Sequence, residues 1–150
     1  MVKKVSLGIV CLFFCFISFA CAAGNQCFGD FENVEYIRNY DGDTITVNIK
    51  DVHPLLGHEI RIRVRGIDCP EIRAKCDGEK ELAKSAKDLV NRFCRRDLKM
   101  TLKNVQRDKY FRIVADVYIL ELNLRDILIK YNLAVPYDGG AKINWCDRLE

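Results

Sequence analysis

The sequence is poor in histidine and lacks any C-x-x-C pair, and each shortage excludes a kind of chemistry. Its two histidines, His53 and His58, flank one loop far along the chain from the cysteines. No C-x-x-C occurs, so a zinc site has no ligand framework to build on. A cysteine nucleophile lacks a histidine partner nearby in sequence. Excess charge of one sign is scarce as well: 24 basic residues against 21 acidic ones give a formal +3 over 150 residues. Such a chain is no polycation, and any affinity for nucleic acid must come from local clustering of charge. That weighs against a purely non-specific nucleic-acid binder more than against an enzyme with a focused site. Internal repeats and low-complexity tracts are missing too.

The N-terminus carries a recognisable segment. Lys3 and Lys4 precede an uncharged run from Val5 to Ala20, and the small residues Ala22, Ala23 and Gly24 follow Cys21. A basic start, an apolar middle and a small-residue end describe a secretory signal peptide over residues 1–23, cleaved after Ala22 or Ala23. The run is slightly short for a membrane span. A lipid anchor at Cys21 is disfavoured, because Ser18 stands where such signals carry Leu. Export, to the periplasm or the medium, is therefore expected. Cleavage would remove Lys3 and Lys4 but no acid, lowering the charge of +3 by two, to +1. The remainder, residues 24–150, is about the length of one ordinary domain with a real core. Of the eight cysteines, Cys27, Cys69, Cys76, Cys94 and Cys146 lie beyond the signal. In an oxidising compartment they predict one or two disulfides and at least one free thiol.

The most patterned stretch is RIRVRGIDCPEI, residues 61–72. Ile60, Ile62 and Val64 share one face of an extended strand, and Arg61, Arg63 and Arg65 the other. Asp68, Pro70 and Glu71 follow the break at Gly66. Before this stretch, Val34–Tyr40 and Thr44–Ile49 read as strands joined by the turn Asp41-Gly42-Asp43. Asp51–Gly57 reads as a loop. The three strands predict an antiparallel meander. Apolar residues at Leu82, Ala86, Leu89, Val90 and Phe93 predict a helix that Asp77 caps. Strands at Leu98–Val105 and Ile113–Ile119, separated by a charged turn over Gln106–Arg112, precede a second helix at Leu124–Tyr131. Asn132 can end that helix in the left-handed conformation. Three strands, a helix, two strands and a helix is the order of an OB-type barrel, mainly β with helices, which binds oligonucleotides on one face.

Three clusters stand out on this frame: Asp41-Gly42-Asp43-Thr44, Arg63 through Glu71, and Asp108-Lys109-Tyr110-Phe111-Arg112. Singly, they read as a hairpin turn, an exposed loop acid and a polar turn. Together they hold every part that phosphodiester hydrolysis needs. Asp43 and Asp68 offer hard oxygen ligands of the kind Ca²⁺ prefers. Glu71 can orient or deprotonate a water, and Arg63 and Arg112 can grip a phosphate by paired hydrogen bonds.

The order DGDT, R-x(4)-D-x-P-E, D-K-Y-x-R resembles the thermonuclease (staphylococcal nuclease-like) family, from about Val34 to Tyr137. The PYDGG…WC ending is similar to that of its exported bacterial members. The resemblance implies a five-stranded OB barrel with two or three flanking helices that hydrolyses DNA and RNA with Ca²⁺ and little sequence specificity. A monomer is expected, and no stable protein partner is implied. By the same resemblance, Asp43, Asp68 and the backbone carbonyl of Cys69 hold the metal. Arg63 and Arg112 hold the phosphate, and Glu71 is the general base. Lys109, Tyr110 and Tyr137 contact the nucleotide. Two positions depart from the family. Cys69 replaces a threonine, which puts an oxidisable thiol beside the metal ligands. Phe111 replaces a glycine, and because a bulky residue resists a positive φ, the turn is expected to take another shape or to aim Arg112 differently. A bridge between Cys76 and Cys146 would pin the tail across the site rim. Cys76 with Cys94 is disfavoured, since a helix of roughly 15 residues would hold them about 20 Å apart. The competing function is a non-catalytic module of the same fold, holding single-stranded nucleic acid without cutting it.

Overall fold

Alternation of apolar and charged residues on the arginine-rich strand asks for one buried face, which a sheet closed on itself supplies. The computed structural model describes residues 26–149; the signal segment expected over residues 1–23 lies outside the described residues. Five strands form the barrel: β1 (Phe31–Asn39), β2 (Thr44–Asn48), β3 (Ile60–Val64), β5 (Met100–Arg107) and β6 (Ile113–Ile119). β1, β2 and β3 make the expected antiparallel meander, β5 pairs with β1 and β6 with β5, and parallel pairing of β3 with β6 closes the ring. Ile45, Val47, Ile62, Val64, Leu102 and Val117 fill the interior with almost no exposure.

Three helices flank the barrel. One is a single turn, α1 (Pro54–Gly57), inside the segment expected to be only a loop; Pro54 opens it and the His53 ring accepts a hydrogen bond from the Leu55 amide. The long helix α2 (Asp77–Phe93) buries Ala83, Ala86, Leu89 and Val90. Its N-cap is Cys76 rather than Asp77, which is the first helical residue and pairs in solvent with Lys80. The last helix, α3 (Leu124–Lys130), is capped by the Asn123 side chain, and Asn132 beyond it takes φ 56° as its type allows. β5 starts and ends two residues later than the sequence pattern suggests. A bulge between Lys103 and Gln106, with Asn104 at φ 53°, interrupts its pairing with β6. No helix among the described residues is long and apolar enough to cross a membrane.

Three very short strands escape the sequence pattern. β7 (Leu122–Asn123) continues β6 as a hairpin, between the expected strand and helix. β4 (Ile67–Asp68) follows β3 and pairs with β8 (Val135–Pro136) of the tail. The expected bridge is present: Cys76 and Cys146 are joined with their Cα atoms 6.0 Å apart, while Cys27, Cys69 and Cys94 are free. The β4–β8 pair and the disulfide bring the tail back over the end of β3.

Candidate active site

The site begins with the β1–β2 turn. Gly42 lies so close to α2 that a Cβ would sit 2.8 Å from both the Ala86 Cβ and the Cys69 Sγ. This close approach buries the carboxylates on either side of it. Asp41 accepts a hydrogen bond from the Asp43 amide at 3.1 Å. Burial raises the Asp41 pKa against the lowering effect of Arg63. Asp43 is 3% exposed; its Oδ2 accepts from the Cys69 amide at 3.0 Å and its Oδ1 from the Thr44 hydroxyl at 3.2 Å.

Strand β3 supplies the matching cation. Its central position, between Thr44 of β2 and Val114 of β6, fixes the Arg63 backbone from both sides. The guanidinium forms a close ion pair with Asp43, donates to the Ile67 carbonyl at 3.0 Å and stands 3.7 Å from Asp68 Oδ1. Burial pulls its pKa down, yet a guanidinium starts high enough to stay charged. The three arginines of the strand do not act together. Arg65 pairs with Asp116 and Gln106, and Arg61 is exposed without an ion pair among the described residues.

Asp68, 1% exposed, lies on β4 just past the Gly66 turn, where φ is 75°. Its Oδ2 accepts from the Trp145 indole at 3.3 Å. Its Oδ1 is buried without an aligned hydrogen bond and meets only charge, from Arg63 and from Lys142 Nζ at 2.8 Å. The same ammonium lies 2.6 Å from Glu71 Oε1. Burial lowers the Lys142 pKa, but the neighbouring Asp68 and Glu71 carboxylates outweigh it and hold the net shift upward. Glu71 itself is exposed, and its amide donates to the buried Glu79 carboxylate of α2 at 3.0 Å.

The 108–112 turn closes the site opposite the tail. Asp108 accepts from the amides of Tyr110 and Arg112 at 2.8 and 2.9 Å, and from Arg112 Nε at 2.7 Å. Burial raises the Asp108 pKa, but these donors outweigh it, so its carboxyl titrates below the usual range. Phe111 takes φ 66°, so the turn keeps a glycine-like shape despite the bulky residue, contrary to the expectation of another shape. Asp108 and the Arg107 bond to the Phe111 carbonyl hold it there. Arg63, Lys109, Tyr110, Arg112 and Tyr137 line one cavity of about 480 Å³. Tyr137 reaches it because its amide donates to Gly66 and its hydroxyl to Gly140.

The nine residues singled out from sequence thus assemble around one end of β3. Asp43, Arg63, Asp68 and Cys69 are in direct contact or within one ion pair of one another, Glu71 joins through Lys142, and the other four face Arg63 across the cavity. The Cys69 thiol packs against Gly42, and burial pushes its pKa up, which makes it a poor nucleophile. Sequence reasoning missed Lys142, Trp145 and Glu79. For these residues, Tyr137 and Cys146 were the signals that the tail belongs here. Two buried carboxylates, one with an oxygen that lacks an aligned donor, fit a hard divalent cation with oxygen preference. Lys142 already stands against one of them, Asp68, as a cation of the chain itself. Among curated proteins, none matches the chain. Residues 61–144, more than half of the sequence, match the family described as staphylococcal nuclease homologue. The match spans β3, the carboxylate turn, the 108–112 turn and the tail to just before Trp145, and with the closed five-stranded barrel it shows that the chain belongs to the staphylococcal nuclease homologue family.

Proposed function

We propose that the protein is an exported, Ca²⁺-dependent nuclease, active as a monomer, that hydrolyses phosphodiester bonds of DNA and RNA with little sequence specificity. The observation that carries this reading is the contact of Arg63 with Asp43 and Asp68 at the end of β3, with Glu71 joined to Asp68 through Lys142. Asp43, Asp68 and the Cys69 carbonyl are the groups that would hold Ca²⁺. When bound, the cation supplies positive charge at the scissile phosphate and makes a nearby water more acidic.

The chain's own residues do the rest. Arg63, already oriented by the Ile67 carbonyl and Asp43, donates its fork to the phosphate as negative charge builds on the equatorial oxygens. Arg112 is held to Asp108 through Nε, which leaves its terminal nitrogens for the same phosphate. Glu71 takes a proton from the attacking water, which approaches in line with the leaving oxygen. By family resemblance the product carries a 3′-phosphate. Lys109, Tyr110 and Tyr137 offer a cation and two ring faces, which any base satisfies, in keeping with weak sequence preference. The basic and apolar start of the chain, residues 1–23, supports export.

One observation favours the non-catalytic alternative. Lys142 neutralises Asp68 and Glu71 at once, so the carboxylates need not repel phosphate even without a metal. Cleavage of single- and double-stranded DNA, with Ca²⁺ and with chelator, beside a Glu71→Gln control, separates the two. Calcium-dependent cleavage that the control lacks is the expected result. Retained DNA binding without cleavage in any divalent ion would leave the binding module standing.

A further inference from the structure

Arg63 and Arg112 face two cavities. The second, of about 740 Å³, lies beyond them toward α1 and is lined by Asp41, Thr44, Arg61 and Arg107 together with apolar side chains. Those apolar groups are unusually bare: Leu55 is 80% exposed, Phe111 76%, Leu56 63% and Tyr40 50%. Arg61 and Arg107 on its rim form no ion pair among the described residues, so their charge is available to an anion.

Phe111 is the informative residue. A non-glycine residue at φ 66° carries about 1–2 kcal/mol of backbone strain. A ring in the core would offset that, but this ring is mostly in solvent. It is nonetheless held in place: the Arg107 guanidinium lies 4.6 Å from its centroid while bonding the Phe111 carbonyl at 3.0 Å. A strained, immobilised and exposed ring beside two phosphate-holding arginines has the make-up of a stacking platform.

We infer that this second cavity is a subsite for a single-stranded stretch of nucleic acid on the far side of the phosphate gripped by Arg63 and Arg112. An unpaired base stacks on Phe111, and the backbone follows Arg61 and Arg107. Charge complementarity and continuity with the first cavity through Arg63 and Arg112 select this occupant over an apolar peptide. The inference rests on the nucleic-acid reading of the site, though not on cleavage.

The test is fluorescence anisotropy with labelled oligothymidylates of two and eight nucleotides, with Ca²⁺ present and in a Glu71→Gln background. Phe111→Gly removes the ring while relieving the backbone, so a weakened complex cannot be blamed on a distorted turn. The octamer is expected to bind Phe111→Gly roughly five- to a hundredfold more weakly, the range for loss of one base–aromatic stack, and Phe111→Tyr is expected to bind like the parent. Octamer affinity unchanged by Phe111→Gly would overturn the subsite and leave the apolar rim to another ligand. Failure of the parent to bind either oligonucleotide would overturn the nucleic-acid reading with it.

Discussion

Phe111 occupies a backbone conformation that glycine takes freely. Phe111→Gly is therefore expected to raise the unfolding free energy by about 1 kcal/mol, read from urea melts. Stability and oligonucleotide affinity should move in opposite directions in this one variant. Asp108 gives a second test at the same scale. Its pKa is depressed in the folded turn, so its contribution is present above the ordinary value of 3.8 and is lost as pH falls through the lower folded value. NMR titration of the Tyr110 and Arg112 amides should show a midpoint below 3.8. The thiols divide by burial. Cys69 and Cys94 are buried, with the Cys94 thiol pushed up to about 12, whereas Cys27 is partly exposed. Brief alkylation of native protein followed by peptide mass mapping should modify Cys27 and spare the other two.

At the scale of elements, the site depends on how tightly the β1–β2 turn packs on α2. Gly42→Ala forces a Cβ against Ala86 and Cys69, and overpacking of this kind costs roughly 1–3 kcal/mol. Because Asp43 moves with the turn, any metal-dependent activity should fall further than stability alone explains. The same packing shows what the sequence makes visible. Strict alternation over Ile60–Arg65 marks β3, and β6 lies where its apolar pattern puts it, because strands that bury one face need a period of two. The motifs that hold Asp43, Arg63 and Arg112 are legible because each borders or ends such a strand, whereas Asp68 is marked only by its motif. β4 and β8 are two residues each, too short for any period to show. Lys142 and Trp145 act on residues about 75 positions earlier, as their 71- and 77-residue separations from Glu71 and Asp68 show, and nothing local marks them. Of the two outcomes the sequence leaves open at Phe111, another turn shape is the one excluded: propensity disfavours left-handed Phe, but the bonds from Asp108 and Arg107 hold it.

For the molecule as a whole, the Cys76–Cys146 bridge spans 70 residues of sequence and encloses α2, β5, β6 and α3. Its removal by Cys146→Ser is expected to cost roughly 2–5 kcal/mol, measured by denaturant unfolding. Trp145 should then leave Asp68, seen as a red shift of the only tryptophan's fluorescence before global unfolding. The bridge also sets an order of events. Residues that donate to Asp68 and Glu71 from the tail follow them by 77 and 71 positions in the chain, and the bond that anchors them forms only where thiols are oxidised. A chain still in reducing surroundings can form the barrel and the β4–β8 pair but lacks the covalent anchor beside Lys142 and Trp145. The finished site is thus a late product of maturation, and two preparations of identical sequence, one oxidised and one not, are different proteins at the place where a substrate would meet them.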